Sequence, residues 1–417
     1  MVKKSPKKLK NMLIPENSLI ASFSSYQYNS PMVTLLLVVI YTAFIGLGIP
    51  DSLFGTAWPA IYTELDLPIS LGGLITTITF LGTTVSSLLS ARLIRKLGTA
   101  KLTAVCTLLT AVAMFGFSIS NSFIMLCLLA IPLGLGAGSI DTGLNNYVAS
   151  HYNASQMSFL HCFYGVGVTV SPFILALVFR NGSNWRMGYS TATVIQIFIA
   201  LTVIVSLPLW KKVGKNDDTS ESDIKSLSMI EAAKIRGVKT MWLLFFCSCA
   251  IELTVGTWSS TFLVENRGAT KELAARSVTF YYLGMTTGRF LSGILARKLH
   301  SRKIIGIGSV VLGIALLLLL LTENSYITII ILFLIGLGNG PMFPNLNYLT
   351  PEQFGKDRSA ALIGSQMAVA NVSIMVASPL FGVIGQTLGM WTFGFYLLFF
   401  YIFLAVGVVL NRIQFRR

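Results

Sequence analysis

Charged residues are scarce in this chain. Asp, Glu, Lys and Arg together make up 11% of its 417 residues, whereas a soluble domain carries about 25%. Hydrophobic residues make up 54%, and the mean hydropathy is +0.73. This composition excludes an ordinary soluble domain and indicates a protein that is embedded in a lipid bilayer.

Patterns typical of enzymes and metal sites are also missing from the sequence. It has no GxxxxGK[ST] loop for nucleotide phosphates, no HExxH, no spaced Cys/His cluster and no Gly-x-Ser-x-Gly turn. We therefore expect no catalytic residue, no metal, no cofactor and no direct use of ATP. The five cysteines fall inside apolar segments, and we interpret them as small buried residues: Cys106, Cys127, Cys162, Cys247 and Cys249.

Apolar runs long enough to cross a bilayer recur along the chain. A transmembrane helix needs about 17–25 mainly apolar residues, and we predict twelve, six on each side of a polar segment. We expect interruptions around Pro50 in the first span and at Pro341 and Pro344 in the tenth. The predicted spans are residues 33–62, 70–90, 101–120, 123–148, 157–179, 187–209, 241–264, 274–296, 303–321, 326–348, 360–387 and 390–410.

These spans define the expected organisation of the chain. Residues 1–32 form a cytoplasmic tail, 33–210 a first six-helix bundle, 211–240 a cytoplasmic linker, 241–410 a second six-helix bundle and 411–417 a second tail. Within the linker, Ile224–Lys239 alternates apolar and basic residues at near-helical spacing. This segment is either a helix on the inner membrane surface or a plain tether.

Basic residues are concentrated in alternate predicted loops. Most Lys and Arg side chains fall in the N-terminal tail, the loops after spans two and eight, the linker and the C-terminal tail. Because cytoplasmic loops carry this excess, both termini are predicted to be cytoplasmic. The net charge of +15 therefore reflects orientation and not nucleic-acid binding. The polar segment Asn11–Ser30 lacks a signal-peptide core, and we predict a multi-pass protein of the cytoplasmic (inner) membrane.

The two halves of the chain repeat each other at a fixed distance. Ser90–Lys101 reappears as Ser292–Lys303, an offset of 202 residues (292 minus 90), with Ser, Leu, Arg, Lys, Leu and Lys matched. Gly134–Gly138 recurs at the same offset as Gly336–Gly340. One register across long apolar segments indicates a duplicated membrane unit, as in many secondary transporters. We expect an all-α integral membrane protein with twelve transmembrane helices in two six-helix repeats.

Three carboxylates lie inside otherwise apolar spans. They are Asp51, Asp141 and Glu252, and a shift of 201 residues superposes the segment at Asp51 on that at Glu252. An ionised carboxylate is unfavourable in a bilayer, so acids there usually face an aqueous cavity. Desolvation favours the protonated form, which lets such groups bind and release protons near neutral pH. We predict that all three couple transport to protons; the alternative is a fixed hydrogen bond between helices.

A larger set of polar and aromatic residues is predicted to line a substrate cavity with these acids. Asp141 and Asn145 are one helical turn apart and share a face with Gly134 and Gly138. Paired acids and amides suit hydroxyl-rich substrates, because each hydroxyl both donates and accepts. The alternative for each is a link between helices or, for Trp258, an interfacial anchor. The other candidates are Asp51, Asn146, His161, Tyr164, Trp258, Asn345, Asn347, Gln366 and Asn371.

Basic residues in the two repeated loops are candidates for gating. Arg95 and Lys96 follow the second span, and Arg297 and Lys298 follow the eighth. They either latch the two halves in one conformation or bind lipid headgroups, and we favour the latch. Arg289 lies within the eighth span, and we expect it to pair with a helix end or an acid near the inner gate.

Twelve spans in two repeats, with basic loops after the second and eighth, resemble the major facilitator superfamily over nearly the whole chain. Three segments are similar to motifs of its fucose-permease-like group of proton-linked sugar symporters: Gly138–Asn145 on helix four, Phe159–Gly167 on helix five and Glu252–Trp258 on helix seven. The resemblance implies that Asp51 and Asp141 bind the proton and the sugar. Related drug-type exporters share the helix-five His and the helix-seven Glu and Trp, so direction and substrate stay open.

The resemblance and the membrane acids together predict a secondary active transporter that works by alternating access. We expect proton-coupled uptake of a sugar or similar polyol by a monomer, with a small-molecule substrate, protons and the lipid bilayer as partners. The alternatives are proton-driven export of a small organic compound and a non-transporting membrane sensor. A sensor needs an output domain, for which residues 211–240 and the two tails leave little room.

Overall fold

The computed structural model describes residues 31–152, 154–213, 229–296 and 298–415, and the regular structure within these ranges is helical. The first half contains α1 (Pro31–Leu65), α2 (Leu71–Leu97), α3 (Thr99–Ser118), α4 (Phe123–His151), α5 (Ala154–Arg180), α6 (Trp185–Val205) and the short α7 (Leu207–Val213). After α8 (Met229–Lys234), the second half contains α9 (Val238–Arg267), α10 (Lys271–Leu295), α11 (Ser301–Leu321), α12 (Ser325–Asn339), α13 (Met342–Phe354), α14 (Lys356–Leu388), a 3₁₀ turn (Met390–Thr392) and α15 (Phe393–Gln414).

Eleven stretches of the described chain are long and apolar enough to cross a membrane by length and composition. One of them joins α6 to α7, and another joins α12 to α13. α10 has the length of a span but a more polar composition, which includes Arg276 and Arg289. It packs against α5, α9 and α12, so protein covers part of its surface. With α10, the fold has the twelve transmembrane helices in two six-helix repeats that the sequence predicts.

The repeat in the sequence is also a repeat of helix packing. α4 packs on α2 so closely that a Cβ at Gly134 would overlap the carbonyl oxygen of Thr79. In the second half, α12 packs on α10 in the same way, with Gly336 against the carbonyl oxygen of Tyr281. Both members of the pair are displaced by 202 residues. Small residues that let two backbones approach are a common way to join transmembrane helices.

Gly336→Val is expected to destabilise the protein, because the added side chain has no room against α10. Overpacking of this kind costs about 1–3 kcal/mol, and the obstructing atoms are backbone atoms that cannot rotate away. Thermal unfolding of the purified protein in detergent measures the effect. Gly306→Val is the matched control, since nothing lies within 4 Å of a Cβ at Gly306. Equal melting temperatures for the two variants would contradict the packing.

The first span is not interrupted at Pro50, contrary to the prediction. α1 is continuous along its whole length, with Pro50 and Pro59 inside it. Just before Pro50, Gly48 packs directly on α5, where a Cβ would lie 2.5 Å from the carbonyl oxygen of Tyr164. Transmembrane helices tolerate proline where neighbouring groups support the freed backbone, and α5 lies against this part of α1.

The tenth span is interrupted, as the sequence predicts. α12 ends at Asn339 and α13 begins at Met342, so the break lies at Gly340 and Pro341. Pro344 does not take part in the break. It lies in the first turn of α13, where a backbone N–H has no intrahelical acceptor and its loss has little effect.

The described part of the linker does not form one helix up to Lys239. The description resumes at Met229, and α8 ends at Lys234. The chain then turns at Gly237, whose φ of +91° favours glycine, before α9 begins. The helix alternative for Ile224–Lys239 is therefore wrong in its C-terminal part, and the segment before Met229 lies outside the described residues.

The two halves meet along α1, α2 and α5 on one side and α9, α10 and α14 on the other. We call the helix ends near Leu65 and Arg267 the far end, and the helix ends near Leu97 and Leu295 the basic end. These names do not state which end faces the cytoplasm.

Contacts between the halves close the far end. The Tyr62 hydroxyl of α1 donates to the Glu265 carboxylate of α9, and the Ser70 amide donates to Gln386 Oε1 of α14 over 2.9 Å. Below these contacts, Gly55 of α1 lies directly on the backbone of α9. The first and second halves are therefore joined at three levels between the far end and the middle of the bundle.

Candidate functional site

The two acids of the first half lie in the same central region. The Tyr164 hydroxyl of α5 donates to Asp51 Oδ2 of α1 over 2.8 Å. Asp51 is also within electrostatic reach of Asp141 on α4. Asp51, Asp141 and Tyr164 are each partly exposed to solvent, as expected of groups that line a cavity and do not fill a core. Three helices of the first half therefore contribute to one group of polar residues. Together with Glu252 and Arg289 of the second half, described below, we call this group the central cluster.

Asp141 and Asn145 form the pair that their spacing predicts. Asn145 Nδ2 donates to Asp141 Oδ1 over 2.8 Å and to the Asp141 carbonyl oxygen over 3.0 Å. This leaves the side-chain oxygen of Asn145, Oδ1, and the second carboxylate oxygen of Asp141, Oδ2, as groups that a ligand can contact. The neighbouring Asn146 is exposed, closer to the basic end of α4.

Glu252 has a different environment from the two aspartates. Its Oε1 lies 3.1 Å from Nη2 of Arg289 on α10, and the two side chains are 22% and 11% exposed, respectively. The Tyr281 hydroxyl donates to the Glu252 carbonyl oxygen over 3.1 Å. Arg289 pairs with an acid as the sequence predicts, but the acid belongs to the central cluster and not to a gate at a helix end.

His161 lies on α5 at the interface between the two halves. Its ring packs edge-on against Phe44 with 6.0 Å between ring centroids, and it lies within electrostatic reach of Arg289 across the interface of α5 and α10. The side chain is partly exposed. His161 is therefore placed beside the central cluster, as the sequence predicts.

Tyr282 belongs to the same cluster and was missed by sequence reasoning. It lies within electrostatic reach of Glu252 and Asp51, and its hydroxyl fills the space beside Gly256 on α9. A signal for it exists in the sequence. Tyr282 precedes Arg289 by seven residues, two helical turns, so both lie on one face of α10.

Trp258 is not available as a stacking surface, contrary to the prediction. It is fully buried, and its indole Nε1 donates to the Ser378 carbonyl oxygen over 2.8 Å. Its ring packs on Phe381 and against Gly382, where a Cβ would lie 2.5 Å from the indole. Packing of α9 on α14 occupies the ring, so a substrate has no face to contact in this conformation.

Asn345 and Gln366 link helices within the second half. Asn345 is 5% exposed, and its Nδ2 donates to Ser292 Oγ over 2.6 Å and to the Pro341 carbonyl oxygen over 2.8 Å. Gln366 is fully buried and exchanges hydrogen bonds with the Thr350 hydroxyl at 3.0 and 3.1 Å. These contacts match the alternative interpretation of both amides, as links between helices and not substrate contacts.

Asn347 and Asn371 retain hydrogen-bonding capacity. Both are half-buried, and the buried Oδ1 of Asn347 has no partner among the described residues. Asn371 lies on α14 one turn before Met375, whose sulfur accepts a contact from the Thr84 hydroxyl of α2 at 3.9 Å. Asn371 therefore lies on the face of α14 that meets the first half.

The predicted gating residues of the two repeated loops lie at the basic end where the structure describes them. Arg95 and Lys96 are exposed at the basic end of α2, and Lys298 is exposed after α10. Arg297 lies outside the described residues. Arg289, by contrast, belongs to the central cluster.

The sequence model of the Major Facilitator Superfamily matches residues 40–278 and 241–413. These matches span most of the chain, and the protein belongs to this superfamily. It is a multi-pass membrane transporter and not an enzyme.

Relatives and solved structures are similar to the chain at low identity. The chain is 22% identical over 404 residues to Bypass of stop codon protein 6 of Saccharomyces cerevisiae, covering 86% of this chain and 78% of the yeast protein. It is 23% identical over 244 residues to the glucose/mannose transporter GlcP of Bacillus subtilis, covering 56% and 59%. The crystal structure of a D-xylose-proton symporter superposes with a TM-score of 0.73 at 12% identity, over 92% of this chain and 97% of that one. The last similarity establishes the fold.

Proposed function

We propose that this protein couples proton movement to the uptake of a sugar or similar polyol by alternating access. The observation that carries the proposal is the placing of Asp51 and Asp141 within electrostatic reach of one another, each hydrogen-bonded to a neutral partner. A like charge within electrostatic reach favours the protonated form of a carboxylate. Glu252 instead has the Arg289 cation beside it, so we assign proton binding to the two aspartates.

The groups around these acids support an uncharged, hydroxyl-rich substrate. At partly exposed positions, Asn145 and Tyr164 offer acceptors, and His161 and Asn371 offer both donors and acceptors, which match hydroxyls that also do both. A lipophilic compound would leave these groups unpaired at a cost of about 1–3 kcal/mol each. The glucose/mannose transporter and the D-xylose-proton symporter, to which the chain is similar, are named for substrates of this kind.

Closure of the far end supports one state of the transport cycle. With the Tyr62–Glu265 and Ser70–Gln386 contacts made, we infer that the central cluster is reached from the basic end, where Asn146 of α4 is exposed. We assign the basic end to the cytoplasm by the positive-inside rule and place both termini there. Rocking of the two halves would then open the far end to the outside.

A substrate panel tests the proposed function. A ligand that binds only the folded protein raises its apparent stability, so thermal shifts of the purified protein in detergent compare sugars and polyols with lipophilic cations. We expect shifts with a subset of the sugars and none with the cations. Shifts with cations alone would reject sugar uptake and favour proton-driven export of a small organic compound.

Asn145→Ala is expected to weaken sugar binding about tenfold or more without unfolding the protein, because a lost hydrogen bond to a buried hydroxyl costs about 1–3 kcal/mol. Removing the matching hydroxyl from the sugar should have a similar effect on the wild type and little further effect on the variant. Equilibrium binding measures both. Asn181→Ala is the control, since Asn181 is exposed in the turn after α5. Equal affinities for the two variants would remove Asn145 from the site.

Orientation is tested by labelling single cysteines in intact cells, in a background without native cysteines. A cysteine replacing Lys298 should react with a membrane-impermeant maleimide only after permeabilisation, and one replacing Asn181 should react before it. Both side chains are exposed, at the basic end and at the far end, respectively. The reverse pattern would place the basic end outside.

A further inference from the structure

The pair of Glu252 and Arg289 has no part in the proposed binding of protons. It joins α9 to α10 through one contact, with 3.1 Å between Glu252 Oε1 and Arg289 Nη2. The pair lies beside the substrate region, since Glu252 is within electrostatic reach of Tyr164 and Arg289 is within reach of His161. An ion pair in this position affects the binding of charged substrates.

The guanidinium of Arg289 is only partly used by Glu252. A carboxylate and a guanidinium can form two parallel hydrogen bonds, but Glu252 contacts one Nη atom. The Nε atom of Arg289 is buried and has no partner within the described part of the chain. Arg289 therefore keeps hydrogen-bonding capacity that Glu252 does not use.

The charges of the central cluster decide whether a substrate carboxylate can use this capacity. Arg289 is permanently protonated, and Glu252 is its immediate counter-charge. With Glu252 in place, a substrate carboxylate meets a neutralised pair and two further acids, Asp51 and Asp141. Without the Glu252 charge, Arg289 becomes an uncompensated cation beside the substrate region, which strongly favours a new anionic partner.

We propose that Glu252 determines substrate charge: by pairing with Arg289, it excludes carboxylate-bearing substrates and restricts the site to uncharged sugars or polyols. This role rests on the proposed transport of such substrates. Glu252 is then a specificity residue, and its replacement by Gln converts the site to one that accepts acid analogues.

The test uses two matched pairs of probes, D-glucose with D-glucuronate and D-galactose with D-galacturonate. Within each pair, a carboxylate replaces one CH₂OH group, so the ratio of the two affinities reports selection between these two groups. Equilibrium binding is measured with full-length purified protein for the wild type, Glu252→Gln and the double variant Glu252→Gln/Arg289→Gln.

We expect Glu252→Gln to shift the affinity ratio toward the acid by about tenfold or more, as for other sites that gain or lose a buried polar partner. The double variant should lose that gain, because the cation that binds the carboxylate has gone. An unchanged ratio in Glu252→Gln, or a gain that persists in the double variant, would overturn the proposal. A purely structural ion pair would lower binding of sugar and acid alike.

Glu252→Met provides a second variant if the Gln variant does not fold. It also removes the charge beside Arg289, so a shift toward the acid is again expected, and a wild-type ratio would overturn the proposal. The outcomes also separate the two proposals. Sugar binding with no shift rejects the role of Glu252 alone, whereas an Arg289-dependent gain for acids in a protein that binds no sugar rejects sugar uptake alone.

Discussion

Asp51→Asn and Asp141→Asn are each expected to abolish accumulation of substrate against its gradient. Asn has nearly the same shape as Asp and can still form a hydrogen bond with Tyr164 or Asn145, whose contacts at 2.8 Å hold the native side chains. It cannot take up a proton. Without that proton, the protonmotive force no longer drives the cycle, and internal substrate should reach only the external concentration.

Exchange of labelled substrate between the two sides separates loss of coupling from loss of folding. Exchange needs no net proton movement, so a variant that has lost only proton coupling should retain exchange. Asp66→Asn is the matched control, because Asp66 is exposed at the far end and its φ of +50° suits Asn. Normal accumulation by either variant would remove that aspartate from proton coupling, and normal accumulation by both would remove proton coupling from these sites.

Gly55→Val is expected to reduce transport to background by preventing closure of the far end. A Cβ at Gly55 would lie 2.6 Å from the Thr257 Cα and 2.8 Å from the Gly256 carbonyl oxygen, across the interface of α1 and α9. Neither atom can move without moving α9, so the halves cannot approach as they do here. The variant should stay in the alternative state, open at the far end.

Opening of the far end can be measured by the thiol reactivity of a cysteine that replaces Ser260. In the structure, Ser260 is 1% exposed and its hydroxyl donates to the Thr56 carbonyl oxygen of the opposite half over 3.2 Å. Ser260→Cys should react slowly with a thiol reagent in the parent and rapidly once Gly55→Val is added. Gly293→Val is the control, because nothing lies within 4 Å of a Cβ at Gly293. Full transport by Gly55→Val would show that this closure is not part of the cycle.

The spans and their duplication could be predicted from the sequence because they depend on local properties. Apolar run length gives the helices, and the 202-residue offset that relates Gly134 to Gly336 reappears as the same close packing in both halves. The Asp141–Asn145 hydrogen bond also follows from spacing, since one helical turn separates the two residues. Run length and the spacing within Asp141–Asn145 need only one helix, and the repeat needs only a comparison of the sequence with itself.

Contacts between helices were much harder to predict. Glu252 and Arg289 are 37 residues apart, and their pairing depends on how α9 and α10 rotate about their axes. Asn345 and Asn371 are both amides in apolar spans, yet Asn345 bonds to Ser292 within the second half, while Asn371 lies on the face that meets α2. Trp258 likewise follows Glu252 in sequence but is packed against Phe381.

The most direct test of proton-coupled uptake measures the proton movement that substrate causes. Purified protein is reconstituted into liposomes that contain a pH indicator, the membrane potential is clamped, and a sugar that binds in the substrate panel is added outside with no initial pH gradient. Proton-coupled uptake predicts acidification of the lumen as sugar enters, and none with the Asp variant that has lost accumulation but keeps exchange. Sugar influx through the wild type at constant internal pH would contradict it.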